Sequence, residues 1–126
     1  MSILKKANIA FLILCITYFS YAFAAPHVAV KIWGNDYKLS MFNCDNSMRD
    51  HFIAKKAIEI NASVNNIKNL QSSELALLHC HEYDKLRKKL LGYGLSSNEL
   101  SQLGLETMEE KSYELSEFVK THEFKY

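Results

Sequence analysis

The sequence predicts a mainly α-helical domain of four helices with a short N-terminal β-hairpin and one disulfide. Three observations carry that expectation. Apolar residues recur at spacings of three and four from about residue 45 onward, whereas residues 27–42 alternate with a period of two. Serine, threonine and glycine stand where helices should start and stop. Of three cysteines, two are left as a pair once an N-terminal export segment is set aside.

That export segment is residues 1–24. Lys5 and Lys6 supply a positive start, residues 9–19 an apolar stretch interrupted only by Thr17, and Ala22-Phe23-Ala24 a small-x-small cleavage pattern. Cleavage after Ala24 is the expected outcome, with a retained membrane anchor as the competing one, because the apolar run approaches the ~20 residues that span a bilayer. Lipidation at Cys15 is disfavoured by the large Leu14 before it. The expected location is therefore periplasmic or secreted, and residues 25–126 form one domain of about 100 residues, long enough to bury its own core.

Cleavage also changes the charge. The full chain has 15 basic and 14 acidic residues, and Lys5 and Lys6 leave with the signal, so the net charge passes from +1 to −1. No basic excess remains to draw the domain to nucleic acid or anionic lipid. Cys15 leaves too, and Cys44 and Cys80 then pair by elimination in a compartment where disulfides persist.

The elements follow in order. Val28, Val30 and Ile32 alternate with Ala29, Lys31 and Trp33, and after Gly34-Asn35-Asp36 the alternation resumes through Tyr37, Leu39 and Met41, the pattern of a hairpin. Asp45 or Asn46 is placed to cap the first helix, whose stripe runs Ile53, Ala57, Ile60, Val64 and Ile67 and which should end near residues 66–69. The second should start at Ser72 or Ser73 and carry Ala76, Cys80, Tyr83, Leu86 and Leu90 on one face before ending at Gly92 or Gly94. Ser96 and Glu99 form a capping box for a third helix, closed by Gly104. Thr107 and Glu110 repeat the pattern for a fourth, bearing Met108, Leu115, Phe118, Val119 and His122.

Chemistry-bearing patterns are few. His79, Cys80, His81 and Glu82 are crowded in sequence, yet a helix separates neighbours onto different faces, and neither paired zinc-ligand spacing nor H-E-x-x-H occurs. A metal or redox role through Cys44, Cys80, His81 and His51 is the alternative, but no metal or other cofactor is expected. Serines occur at helix starts and no G-x-S-x-G elbow is present, so capping accounts for them and no enzyme activity is expected. Glu109, Glu110, Glu114 and Glu117 read as a solvated helix face. Asn61-Ala62-Ser63 is a glycosylation acceptor in a secreting eukaryote, placed by the pattern in mid-helix.

Leu91-Gly92-Tyr93-Gly94-Leu95 between two helices resembles the G-h-G turn of helix-hairpin-helix DNA-binding modules. The resemblance implies backbone amides holding phosphate, with Lys85, Arg87, Lys88 and Lys89 beside them. It covers only about 16 residues and lacks the small residue expected in the second helix. With the charge balance against it, nucleic acid is not the expected partner. What remains is an exported domain that works by binding a protein, as inhibitors, immunity-type proteins and accessory subunits of envelope or secretion assemblies do. Tyr93, Phe124 and Tyr126 are the candidate contacts, since aromatics on loops and ends make good anchors.

Overall fold

The computed structural model describes residues 2–121, apart from the side chains of Phe118 and Val119. Helix α1 runs Ile3–Ile60, α2 Val64–Ala76, α3 Leu78–Gly92 and α4 Ser97–Thr121. The domain is small and all-α with one disulfide, and no strand occurs among the described residues. Helices α2 and α3 meet at the single turn residue Leu77 and act as one bent helix laid back along α1.

The expected hairpin is absent: residues 27–42 lie within α1. The alternating residues that suggested strands do not define the buried face, since Val28 and Ile32 are 52% and 57% exposed. That face is marked by Ala29, Gly34, Tyr37, Cys44, Ser47 and Ala54, at near-helical spacing and mostly small. Small side chains let another helix approach closely, and that favours the 3.6-residue period over the two-residue one. Neither Asp45 nor Asn46 caps a helix, because α1 runs through both.

Residues 61–63 link α1 to α2. The Ser63 hydroxyl accepts the Asn66 N–H at 3.2 Å and caps α2. The Asn61-Ala62-Ser63 acceptor therefore lies in an irregular link, not in mid-helix as its pattern implied. Ser73 starts no helix. It is buried inside α2 and its hydroxyl donates to the Leu70 carbonyl at 2.7 Å.

Two features place α4. At the end of α3, the Gly94 N–H donates to the Leu91 carbonyl (3.0 Å) and the Leu95 N–H to the Leu90 carbonyl (3.2 Å), the two bonds of a Schellman motif. Gly94 supplies the required positive φ of 98°. The motif brings Leu95 onto Leu90, and both join Ala29, Tyr37 and Leu100 in the buried core. The capping box then forms as expected: the Ser96 N–H donates to Glu99 Oε2 at 2.7 Å, and the Glu99 N–H to Ser96 Oγ at 3.2 Å.

Helix α4 does not stop at Gly104 and restart at Thr107, so the third and fourth expected helices are one. Gly104 is buried against α1, where an added Cβ would meet Met41 Sδ at 2.8 Å. Thr107 is buried too, and its hydroxyl donates to the Leu103 carbonyl at 2.8 Å in place of capping. Lys38, only 19% exposed, forms ion pairs with Glu106 and Glu110, each at 3.4 Å, and ties α1 to the same stretch of α4.

Helix α1 begins well before the packed part of the molecule. Residues 2–24 are exposed except for Cys15, whereas Ala25 and Pro26 are partly buried and Ala29 is fully so. By length and composition α1 is apolar enough to cross a membrane, and its apolar window has none of its residues buried.

Two outcomes follow for stability. Replacing both Cys44 and Cys80 by serine should lower the unfolding free energy by about 4 kcal/mol in urea titrations, because the bond closes a long loop. Gly94→Ala should lower it by about 1–2 kcal/mol with an unchanged denaturant slope, the effect of forcing a Cβ into positive φ.

Candidate functional site

The surface around the core-facing half of α1 carries the features able to bind something. On one side, Ala25, Val28, Ala29, Ile32 and Trp33 of α1 and Tyr93 line an apolar groove of about 340 Å³ that reaches back to Tyr21 and Ala24. Tyr93, at 36% exposure, stacks on Trp33 with ring centroids 5.1 Å apart. The Lys89 ammonium lies 4.2 Å from the Trp33 ring centroid, a cation–π contact. The Schellman turn places Tyr93, and helical register places Trp33 and Lys89 to meet it.

On another side, Pro26, His27, Val30 and Lys31 of α1 face Leu95, Glu99, Gln102, Leu103 and Glu106 across a groove of about 380 Å³. Glu99 is held below the ordinary glutamate range first by the Ser96 backbone N–H, then by the Ser96 side chain. A third cleft, of about 430 Å³, opens between α1, α3 and α4. It is lined by Tyr37, Met41, Tyr83, Arg87, Leu100 and Met108, with Ser97, Ser101, Gly104 and Leu105 on the α4 side. Burial, then the hydrogen bond with Tyr83, push the Tyr37 phenol above its ordinary range.

The sequence-predicted residues fall as follows. Cys44 and Cys80 form the disulfide, with Cα atoms 4.5 Å apart. His81 is exposed, and His51 lies 3.4 Å from the Ser73 hydroxyl. Among the described residues no group of three or more His, Cys, Asp or Glu is arranged to hold a metal ion. Tyr93 is on the surface as expected, while Phe124 and Tyr126, like His122, lie outside the described residues.

In the glycine turn, the amides of Tyr93, Gly94 and Leu95 all donate to carbonyls of α3 itself, so the geometry that would cradle a phosphate is used to close the helix. The basic residues nearby are dispersed: Lys85 pairs with Glu82, Lys88 with Asp84, Lys89 sits on Trp33, and Arg87 faces the third cleft. Sequence reasoning gave Trp33 and Lys38 no functional role and Arg87 only that of a phosphate contact. One available signal was rarity, since Trp33 is the only tryptophan and Arg87 one of two arginines.

The described residues thus form a disulfide-closed, all-α domain with apolar grooves open to solvent. The chain belongs to the family described as His-Xaa-Ser system protein, whose family model matches residues 32–125. The matched stretch takes in most of the packed domain, beginning just after the core residue Ala29, and leaves the apolar N-terminal segment outside it. No curated protein and no solved structure matches the chain.

The capping box makes a pH prediction. The folded-state Glu99 carboxyl titrates below its unfolded value, so the stabilisation it gives is complete above the unfolded range and disappears as pH falls through the folded one. Thermal melts should show a loss on acidification that is smaller in Glu99→Gln; identical acid profiles for the two proteins would remove this role.

Proposed function

We propose that this chain is an exported component that binds a protein partner, acting in the periplasm or outside the cell. Residues 1–24 serve as the signal, and residues 25–126 are the working domain, of the inhibitor or immunity type or an accessory subunit of an envelope or secretion assembly. The observation that carries the binding role is the stack of surface Tyr93 on half-buried Trp33 beside an apolar groove. Tryptophan and tyrosine are the residues on which interface energy concentrates, since each contributes large contact area for little lost freedom.

Export is supported by two features. Packing onto the domain begins at Ala25 and Pro26, so cleavage after Ala24 removes chain that is exposed apart from Cys15, together with the outer wall of one groove. Pro26 then falls in the first turn of α1, where its missing N–H has no helical partner to lose. The disulfide agrees with an oxidising compartment. The family's description as a system protein agrees with a component that works alongside others.

Two measurements test this. Intact mass of the protein recovered from the exported fraction should correspond to a chain starting at Ala25 and lacking two hydrogens. A full-length mass in the membrane fraction would instead make residues 3–24 a retained anchor. Affinity capture from that same fraction should retain a stoichiometric protein partner, and Trp33→Ala combined with Tyr93→Ala should weaken capture by at least tenfold, as loss of a hot spot of about 2 kcal/mol requires. Undiminished capture by the double variant would move the interface elsewhere.

A further inference from the structure

Where charged side chains of the described domain form ion pairs, most partners lie within a turn or two on the same helix. Arg49 bonds Asp45 at 3.2 Å, Lys56 bonds Glu59 at 2.6 Å, and Lys111 bonds Glu114 at 2.8 Å. Arg87 differs. It is partly buried, it lines the cleft between α1, α3 and α4, and no carboxylate of the described residues is within ion-pair distance of it. Its nearest acidic neighbour along the helix, Asp84, bonds Lys88 and acts on the guanidinium only through space, without ion-pair contact.

The rest of that cleft is apolar or neutral. Met41, Leu100, Leu105 and Met108 form its walls, Tyr37 and Tyr83 its inner end, and Ser97 and Ser101 its α4 edge. Ser101 already donates to the Ser97 carbonyl, and the two tyrosines bond one another. The guanidinium is therefore the one charged group in an otherwise uncharged cleft, and its positive charge reaches inward far enough to act on the Tyr37 hydroxyl. A partly desolvated cation with no carboxylate in ion-pair contact favours an anion, and the planar fork of arginine matches a carboxylate through two parallel hydrogen bonds.

We propose that this cleft captures the C-terminal end of a partner polypeptide, with Arg87 holding the terminal carboxylate and the methionine and leucine walls taking one or two apolar side chains. The size and shape favour this occupant over an acyl chain. The volume of about 430 Å³ suits two apolar side chains, and the cleft stands open to solvent, whereas a fatty acid needs its length enclosed. A terminal carboxylate carries a single negative charge, which one guanidinium balances. The choice of a polypeptide rests on the protein-binding reading above. The cleft is nevertheless a separate surface from the Trp33–Tyr93 stack, so the two are tested apart.

The experiment is an NMR titration of the ¹⁵N-labelled full chain in lipid nanodiscs with three probes: N-acetyl-Ala-Leu-Leu as the free acid, the same peptide as its C-terminal amide, and octanoate. The free acid should shift the amides of Arg87, Ser97, Leu100 and Ser101 saturably, and the amide should bind roughly 10- to 100-fold more weakly, the effect of losing a charged hydrogen-bonded pair. Arg87→Gln should abolish the preference for the acid. Leu105→Glu, on an exposed wall, should weaken the acid by repulsion without disturbing the core, and Arg49→Gln should bind like the parent.

Equal binding of acid and amide, or an unchanged preference in Arg87→Gln, overturns the proposal. So does octanoate displacing the peptide at equal concentration, which would make the cleft an acyl site. If neither peptide binds while affinity capture through Trp33 and Tyr93 persists, the cleft assignment falls alone. If the acid binds but no partner is captured, the protein-binding reading has failed and the cleft has not.

Discussion

Helix α1 and helix α3 lie close enough for a disulfide to join their side chains, with the Cα atoms of Cys44 and Cys80 4.5 Å apart. Such an approach is open only to helices whose facing positions are small, and α1 meets that condition with Ala29, Gly34, Ser47 and Ala54 along its buried face. The serine hydroxyl adds no polar demand on the interface, because Ser47 donates to the Asn43 carbonyl of its own helix at 2.8 Å. A domain of this size buries a limited core, so a cross-link that restricts the unfolded chain carries weight out of proportion to its area. Every other element is placed relative to this pair.

The end of α3 shows how that placement propagates. Once Leu90 is fixed against Ala29 and Tyr37, the Schellman bonds bring Leu95 onto the same cluster, and the capping box starts α4 one residue later in a direction that carries Leu100 into the core. Gly104 and Thr107 then meet α1 at close range, and Lys38 closes the contact with two glutamates. Helix α4 thus crosses α1 along a narrow line of small side chains, with open space to either side of it. The grooves on its two flanks are a direct result of that narrowness.

What the sequence made legible was whatever depends on residues near one another in the chain. The α class, the pairing of Cys44 with Cys80, the Ser96–Glu99 box and the helix stop at Gly94 each follow from short-range chemistry or from counting. The hairpin did not survive, because Val28 and Ile32 share a strand period with half-buried Val30 while themselves exposed, and most residues that face the core are small and register weakly as hydrophobic. Gly104 and Thr107 misled for a related reason. Glycine and threonine are the residues of helix ends, yet they are also the residues that fit a close helix crossing, and only the partner helix distinguishes the two uses. The cation–π contact of Lys89 with Trp33 and the cleft around Arg87 join residues dozens of positions apart, and no local pattern carries that information.

Three cations in this part of the fold meet their surroundings in three ways. Lys38 is partly buried and neutralised by two carboxylates from α4. Lys89 is exposed and rests on the face of an indole, where the ring's negative face substitutes for a counter-ion. Arg87 is partly buried and has neither a carboxylate in ion-pair contact nor a ring beneath it, only the through-space field of Asp84. Partial burial weakens the hydration that would otherwise satisfy a guanidinium, and the strength of any new ion pair grows as water is displaced from around it. The same desolvation that makes an unpaired arginine unfavourable in the free domain therefore strengthens its hold on an arriving anion. Of the three, Arg87 has the most to gain from an external ligand, and the apolar walls beside it set what else that ligand must carry.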